Sequence, residues 1–265
     1  MYELNQVPSE AQIKKYLRRI LFGKNLFCPK CRSRQIINYE SRYRCKKCRL
    51  KFTLVSHTWL KGMKLTYQKF WLVLWCWTTQ IPVKQAIALT ELSDDAIRHW
   101  YGRFRANLPE NKEILEKIVQ LDEAYFKKAG LMMGKQTGTR KLAYAIFNKS
   151  PNEIDRVDAL YFLQSYVKPK TKLRTDGAGI YRGIHHWWPA RHQVDIHNKW
   201  EFELTSEIEG IFGNLRTFIR RMYHHVTVEK LPEIVSEFCF RFSSPEIFNS
   251  PLTFLQKTLK LVPFG

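Results

Sequence analysis

Two pairs of cysteines constrain this chain more than any other feature. Cys28 and Cys31 are followed by Cys45 and Cys48, a C-x2-C-x13-C-x2-C spacing. Each two-residue gap lets both sulfurs of a pair converge on one ion, and four thiolates complete the closed tetrahedral site that Zn2+ takes. Such a site has no open position, so its zinc is structural and not catalytic. Between the pairs, residues 35–39 and 42–44 can pair as a hairpin. The spacing predicts a small zinc ribbon over residues 26–56. Cys76 and Cys239 stand in apolar helical surroundings and read as core residues.

Charge is the second constraint. Lys and Arg number 44 against 24 Asp and Glu, a net charge of +20. It is concentrated at the start: residues 1–66 hold 16 Lys or Arg and three Glu. A surface this basic attracts polyanions, nucleic acid first. A hydrophobic content of 45% is enough for a real core and excludes wholesale disorder. The longest apolar run, residues 70–77, is far short of the roughly 20 residues that cross a bilayer. The first twenty residues also lack the apolar stretch of a signal peptide. No membrane partner is expected, and the predicted location is the cytoplasm, on the nucleoid.

Residues 8–22 have helical periodicity, within a basic N-terminal segment of residues 1–25. Residues 64–108 read as three helices: one at 67–79 rich in Trp, one opened by Pro82, and one at 96–108 with Ser93 as its N-cap. A helix, a short turn and a basic helix make the helix-turn-helix plan, in which the last helix enters the major groove. Arg98, Arg103 and Arg105 on that helix, with Lys46 and Lys47 of the ribbon, are the predicted DNA contacts. A generic three-helix bundle is the plainer alternative. Residues 108–112 form a linker, and a mixed α/β domain follows over 114–245, with 246–265 as a tail.

Within that domain, residues 118–126 form a strand with Asp122 at its middle. An unpaired carboxylate on a buried strand is costly unless it has a metal, a partner or a task. Residues 141–148 are a second strand, its expected antiparallel neighbour. Residues 127–140 between them read as a basic, Gly-rich loop suited to phosphate. Residues 172–177 form a short strand ending at Asp176, and 193–197 another. A helix begins near Thr205 with Glu207 and Glu209 in its first turns, and Arg216 follows Glu209 by seven residues. Carboxylates converging from several elements are what two-metal phosphoryl transfer requires.

The segments CPKC…CKKC, VQLDEAYF, RTDGAGIYRGI, SEIEGIFGNLRTFIRRMYHHV and SEFCFRF occur in order. Together they resemble the zinc-ribbon transposases of bacterial insertion sequences, the ISXO-like group of the DDE superfamily, from about Phe27 to Phe242. The resemblance implies an α+β multidomain chain: a zinc ribbon and helix-turn-helix, then a ribonuclease H-like catalytic domain. It implies Mg2+ or Mn2+ on Asp122, Asp176 and Glu209, with Arg216 at the usual basic position. His197 matches a family histidine on the strand before that helix, and His224 and His225 match the HHV segment. Ser206 stands where the family often has Asn, and Glu207 is a rival third ligand. Residues 150–166 look short for the family's third strand and helix, with 154–157 at most a strand stub. The implied activity is binding of terminal inverted repeats, hydrolysis at the element ends and strand transfer into target DNA by a homo-oligomer. A catalytically inactive, transposase-derived DNA-binding protein is the alternative, and an adaptor protein with a protein-binding ribbon is a third reading.

Overall fold

The computed structural model describes residues 7–109, 113–126, 129–148, 154–194 and 205–262. The chain divides into two compact units, one formed by residues 1–109 with 246–265 and the other by residues 110–245. No helix among the described residues is long and apolar enough to cross a membrane.

The first unit opens with α1 (Glu10–Phe22). Ser9 and Gln12 close a reciprocal capping box at its start. Ile13, Leu17, Leu21 and Phe22 face inward at helical spacing. Three short antiparallel strands follow: β1 (Ile36–Tyr39), β2 (Arg42–Cys45) and β3 (Lys51–Phe52). Then come α2 (Tyr67–Thr78), α3 (Val83–Thr90) and α4 (Asp94–Ala106). Ser93 caps α4 by accepting the N–H of Ala96 at 3.3 Å. Ile97, Trp100, Tyr101 and Phe104 of α4 are buried, which leaves Arg98 and His99 on the solvent face.

The segment 246–265 is not a tail. Its helix α9 (Pro251–Thr258) is part of the first unit's core. Trp77, fully buried, has Phe104, Phe248 and Phe254 around it at centroid distances of 5.4, 5.4 and 5.1 Å. Phe248, Phe254 and Leu255 are too apolar for a solvated end, and all three are buried here. Phe254→Ala is expected to cost the first unit about 3–5 kcal/mol, read as an earlier urea transition in tryptophan fluorescence.

The second unit is built on a five-stranded mixed sheet, ordered β6-β5-β4-β7-β8: β4 (Ile118–Phe126), β5 (Ala129–Gln136), β6 (Leu142–Phe147), β7 (Lys172–Thr175) and β8 (Arg191–Val194). The β4–β5 and β5–β6 pairs are antiparallel; β4–β7 and β7–β8 are parallel. On one face α5 (Arg156–Tyr166) and the short α6 (Ile184–Trp187) cover Val119, Leu121, Met132, Ala143 and Leu173. On the other, α7 (Ser206–Tyr223) lies along β4 and β5 and α8 (Leu231–Ser243) along β6. This is the ribonuclease H-like arrangement, an α+β chain with a ribbon ahead of it.

Two expectations are corrected here. Residues 129–136 are not a loop but the wholly buried strand β5. The glycines mark close packing and not a turn. A Cβ on Gly130 would stand 2.6 Å from the Ile154 side chain, and one on Gly134 2.7 Å from Leu115. The strand at 141–148 therefore pairs with β5 and not β4. Nor is 154–157 a strand: Ile154 packs on Gly130, and Asp155 forms a capping box with Asp158 that starts α5.

Two of the recognised segments serve this packing. The Tyr223 hydroxyl donates to Glu237 Oε2 at 2.7 Å, and the Arg241 guanidinium donates to Oε1 at 2.8–2.9 Å. Glu237 is fully buried, so this charged pair with its tyrosine ties the end of α7 to α8. His224 and His225 beside it are exposed.

Candidate functional site

The ribbon cysteines sit on two matching knuckles. Cys28 N–H bonds the Ser33 carbonyl at 2.8 Å, and Cys45 N–H the Leu50 carbonyl at 2.9 Å. Arg32 and Arg49, at the same place in each knuckle, have φ of 59° and 61° and bond back to Cys28 and Cys45. The same turn built twice aims four sulfurs at one point. All four Sγ lie within 4.8 Å of one another, with 3.4 Å for Cys28–Cys48 and 3.6 Å for Cys31–Cys45. Zn–S bonds of about 2.3 Å at the tetrahedral angle require S···S separations near 3.8 Å, so the set fits zinc. Burial pushes the Cys28 thiol up to about 12. Burial also raises Cys45, but the N–H groups of Cys48 and Lys47 and the neighbouring thiols bring it down to about 7. Cys45 thus holds charge more readily than Cys28, and binding of a cation releases the proton that Cys28 keeps.

The acids are assembled by the sheet of the second unit. Side chains alternate along β4, so Val119, Leu121 and Glu123 face the α5 side while Gln120 and Asp122 face α7. Gln120 is level with Arg174 of β7. Two residues further along each chain, Asp122 and Asp176 come level where β7 ends. Asp176 is held by the Ala178 N–H, which donates to its Oδ1 at 3.0 Å. Thr175, ahead of it, donates to the Asp176 carbonyl and lies 2.9 Å from His192 Nε2. Glu209 enters from the first turn of α7, its Oε1 accepting from the Thr205 hydroxyl at 2.9 Å.

These positions interact. Burial raises the Asp122 carboxyl to about 7; the Glu123 N–H, donating at 2.8 Å, opposes the rise, and the charges of Glu123, Asp176 and Glu209 add to it. Among the described residues the four cysteines are the group of three or more potential ligands whose donor atoms lie within 4.8 Å of one another. The acids stand further apart than that, close enough to repel but not closed around one point. Arg216 is exposed on the same unbroken helix, and seven residues at 100° each return it to within about 20° of Glu209.

Glu207 is occupied elsewhere. Its carboxylate accepts from Lys135 Nζ at 2.8 Å and from the Gly138 N–H at 3.4 Å. Lys135 is 3% exposed and is the register partner of Gln120. Gln120 in turn accepts the Ile208 N–H at 2.9 Å. A cross-strand pair on β4 and β5 therefore docks the two residues ahead of Glu209. Sequence reading missed both. The signal was present: Gln120 precedes Asp122 by one strand repeat, and Lys135 is a lone charge in an apolar run. Gln120→Ala leaves the Ile208 N–H unpaired, a cost of about 1–3 kcal/mol at the start of α7. DNA nicking is expected to fall at least tenfold while DNA affinity is kept, measured as rate and affinity on one substrate. Glu123 was also missed: it accepts from the fully buried Tyr181 at 2.7 Å, and burial raises its carboxyl, with Asp176 adding repulsion.

The predicted DNA contacts divide. Lys46 and Lys47 are exposed on the second knuckle, and Arg98 is exposed and paired with Asp94 at 2.5 Å. Arg103 is half-buried; it donates to the Trp59 carbonyl and stacks 4.8 Å from the Trp100 centroid. Burial lowers its pKa. Arg105 is also only partly exposed. His197 lies outside the described residues.

Residues 8–51 match the transposase zinc-ribbon domain, and residues 114–243 match the ISXO2-like transposase domain. A protein in transposable element ISH50 of Halobacterium salinarum is 27% identical over 137 residues, 49% of this chain and 46% of that protein, so the chain spans about half the length of this curated relative. One solved structure, a simian T-cell lymphotropic virus intasome in complex with PP2A regulatory subunit B56 gamma, aligns with 64% of this chain and 67% of that one, at 14% identity and a TM-score of 0.36. Both domain matches fall in the expected order and together cover about two thirds of the sequence, and the chain belongs to the ISXO2-like transposase family.

Proposed function

We propose that the chain is a DNA transposase of an insertion sequence, which binds the element's terminal inverted repeats, cuts at them and joins the freed ends to target DNA. The observation that carries this reading is the state of Asp122. It is a carboxylate held in a buried strand against the charges of Asp176 and Glu209, an arrangement that costs stability unless a cation neutralises it. Asp122, Asp176 and Glu209 would hold Mg2+ or Mn2+. Carboxylate oxygens suit these hard ions, and ions bound there supply Lewis acidity to the attacking and leaving oxygens of a phosphodiester.

The chain's own residues do the rest. Gln120 and Lys135 fix the start of α7 and so the place of Glu209. Arg216, exposed two turns on, is free to meet a phosphate beside the acids. Glu207, tied to Lys135, supports the fold and is not the third ligand. The zinc ribbon, with Lys46 and Lys47, and α4, with Arg98, would bind the repeat; Arg103 serves the interior of the first unit more than DNA. Cutting both ends of an element calls for at least two copies on DNA.

The test is an incubation of the full chain with linear DNA carrying the element ends, Mn2+ and a supercoiled target plasmid. Nicks at the element boundary and sequenced end–plasmid junctions are the expected products. Binding of the ends with neither product, under any divalent ion, overturns the enzyme reading and leaves a DNA-binding protein.

A further inference from the structure

At the starts of β4, β7 and β8, the opposite end of the strands from Asp176, lies a cleft of about 510 Å3. Lys117, Lys170, Lys172, Pro189, Ala190 and Arg191 line it: four cations and no acid. Lys172 and Arg191 are register partners on adjacent parallel strands. Like charges set directly opposite across a sheet destabilise it, by about 0.2–1 kcal/mol for such a pair. Lys117 is drawn into the group because its carbonyl accepts the Lys172 N–H at 2.8 Å, and Lys170 because its N–H binds the Pro189 carbonyl at 2.5 Å. Several other cations of this unit pair with acids, as Lys168 with Glu116, Lys141 with Glu113 and Arg241 with Glu237. Among the described residues no acid forms a salt bridge with the four in the cleft; the Glu116 carboxyl, held down mainly by Lys168, also feels Lys117.

Lys172 of the cleft lies on the same side of β7 as Asp176. Lys172, Arg174 and Asp176 alternate onto one side of the chain, and Arg174 is level with Gln120, two residues before Asp122. Four residues of strand at about 3.3 Å each put the cleft about 13 Å from Asp176. That is about four nucleotide steps of a DNA strand at 3.4 Å per step.

We propose that this cleft is a phosphate subsite, in which Lys172 and Arg191, with Lys117 and Lys170, grip the backbone of the DNA strand whose scissile phosphate lies at the acids. The inference rests on the transposase reading and assigns a path to its substrate. Oppositely charged phosphate relieves the repulsion between Lys172 and Arg191, and a rigid sheet end fixes the distance from grip to cut.

The test uses the full chain and a fluorescein-labelled duplex of about 40 base pairs, with affinity measured by anisotropy over a range of salt concentrations. Each phosphate contact contributes about 0.9 to the slope of log affinity against log salt. Lys172→Gln with Arg191→Gln is expected to lower the slope by about 2 and to weaken binding at least tenfold at low salt. Lys117→Asn with Lys170→Asn is expected to do the same; both positions have φ of 66°, which Asn tolerates. Lys257→Gln with Lys260→Gln removes as much charge from the first unit and is expected to leave the slope nearly unchanged. Thermal melts check that each variant folds. A cleft variant with the wild-type slope, or a control pair with an equal loss, overturns the subsite while the transposase reading stands. Wild-type protein that binds no duplex overturns that reading itself.

Discussion

Asp122→Asn is expected to abolish DNA nicking and at the same time to make the metal-free protein more stable. The two effects have one origin. In the folded chain the Asp122 carboxyl titrates at about 7 in place of its ordinary 3.8. An acid whose pKa is raised on folding disfavours the folded state wherever it is ionised. The penalty is absent below about pH 4, grows as pH rises toward 7 and is full above it. Three units at about 1.4 kcal/mol each bound the penalty near 4 kcal/mol, and partial solvent access reduces it to roughly 2–3 kcal/mol. Asn removes the charge and keeps the shape. Metal-free wild type is therefore expected to lose stability between pH 5 and pH 8, and Asp122→Asn to lose less, in paired urea titrations at those pH values. Added Mn2+ is expected to raise the melting temperature of wild type and not of the variant. Loss of a charged ligand removes several kcal/mol of transition-state stabilisation, about a thousandfold in rate at 1.36 kcal/mol per decade. A variant that cuts at the wild-type rate, or that is less stable at pH 8, contradicts this account of Asp122.

The largest effect on DNA binding is expected at the ribbon. Its strands are four, four and two residues long. Within residues 26–56 the buried apolar side chains are only Cys28, Cys45, Phe52, Leu54 and Val55. So small a core does not hold itself together, whereas a structural zinc contributes about 10–16 kcal/mol of apparent binding energy. Cys45→Ser, or a strong chelator, is expected to release one zinc per chain and open residues 26–52 to protease. Affinity for the element ends should fall at least a hundredfold. The second unit is compact by itself, so its own unfolding transition is expected to stay within about 1 kcal/mol of wild type. Zinc content by mass spectrometry and proteolysis give the result directly. Full affinity in a zinc-free chain would mean that α4 alone reads the DNA.

The ribbon and the first two acids were legible in the sequence because each depends on local spacing. Two C-x2-C pairs can hardly avoid one metal, and Asp122 stands out as a charge in an apolar run. What the sequence hid depends on packing between distant segments. β5 reads as a loop because its glycines are usually turn signals, and only Ile154 and Leu115 pressing on Gly130 and Gly134 explain them. The start of α5 was misread as a strand because the helix carries Val157 and Tyr161 outward, 73% and 55% exposed, which blurs its apolar stripe. The return of Phe248 and Phe254 to Trp77 joins residues about 170 positions apart and has no local sign. Helix periodicity separates the faces of Glu207 and Glu209, and the ion pair of Glu207 with Lys135 on β5 had no local sign in the sequence.

The central claim is that Asp122, Asp176 and Glu209 form one metal-dependent cutting centre on a chain that also binds the DNA ends. The most direct measurement is nicking of end-bearing linear DNA in Mn2+ by wild type, Asp122→Ala, Asp176→Ala, Glu209→Ala and Glu207→Gln, with binding to the same DNA measured in parallel. The account predicts that wild type nicks at the boundary, that the three alanine variants bind normally without nicking, and that Glu207→Gln, its Lys135 contact weakened, still nicks. Nicking that survives Glu209→Ala and disappears in Glu207→Gln would contradict it, as would wild-type protein that binds the ends and never cuts.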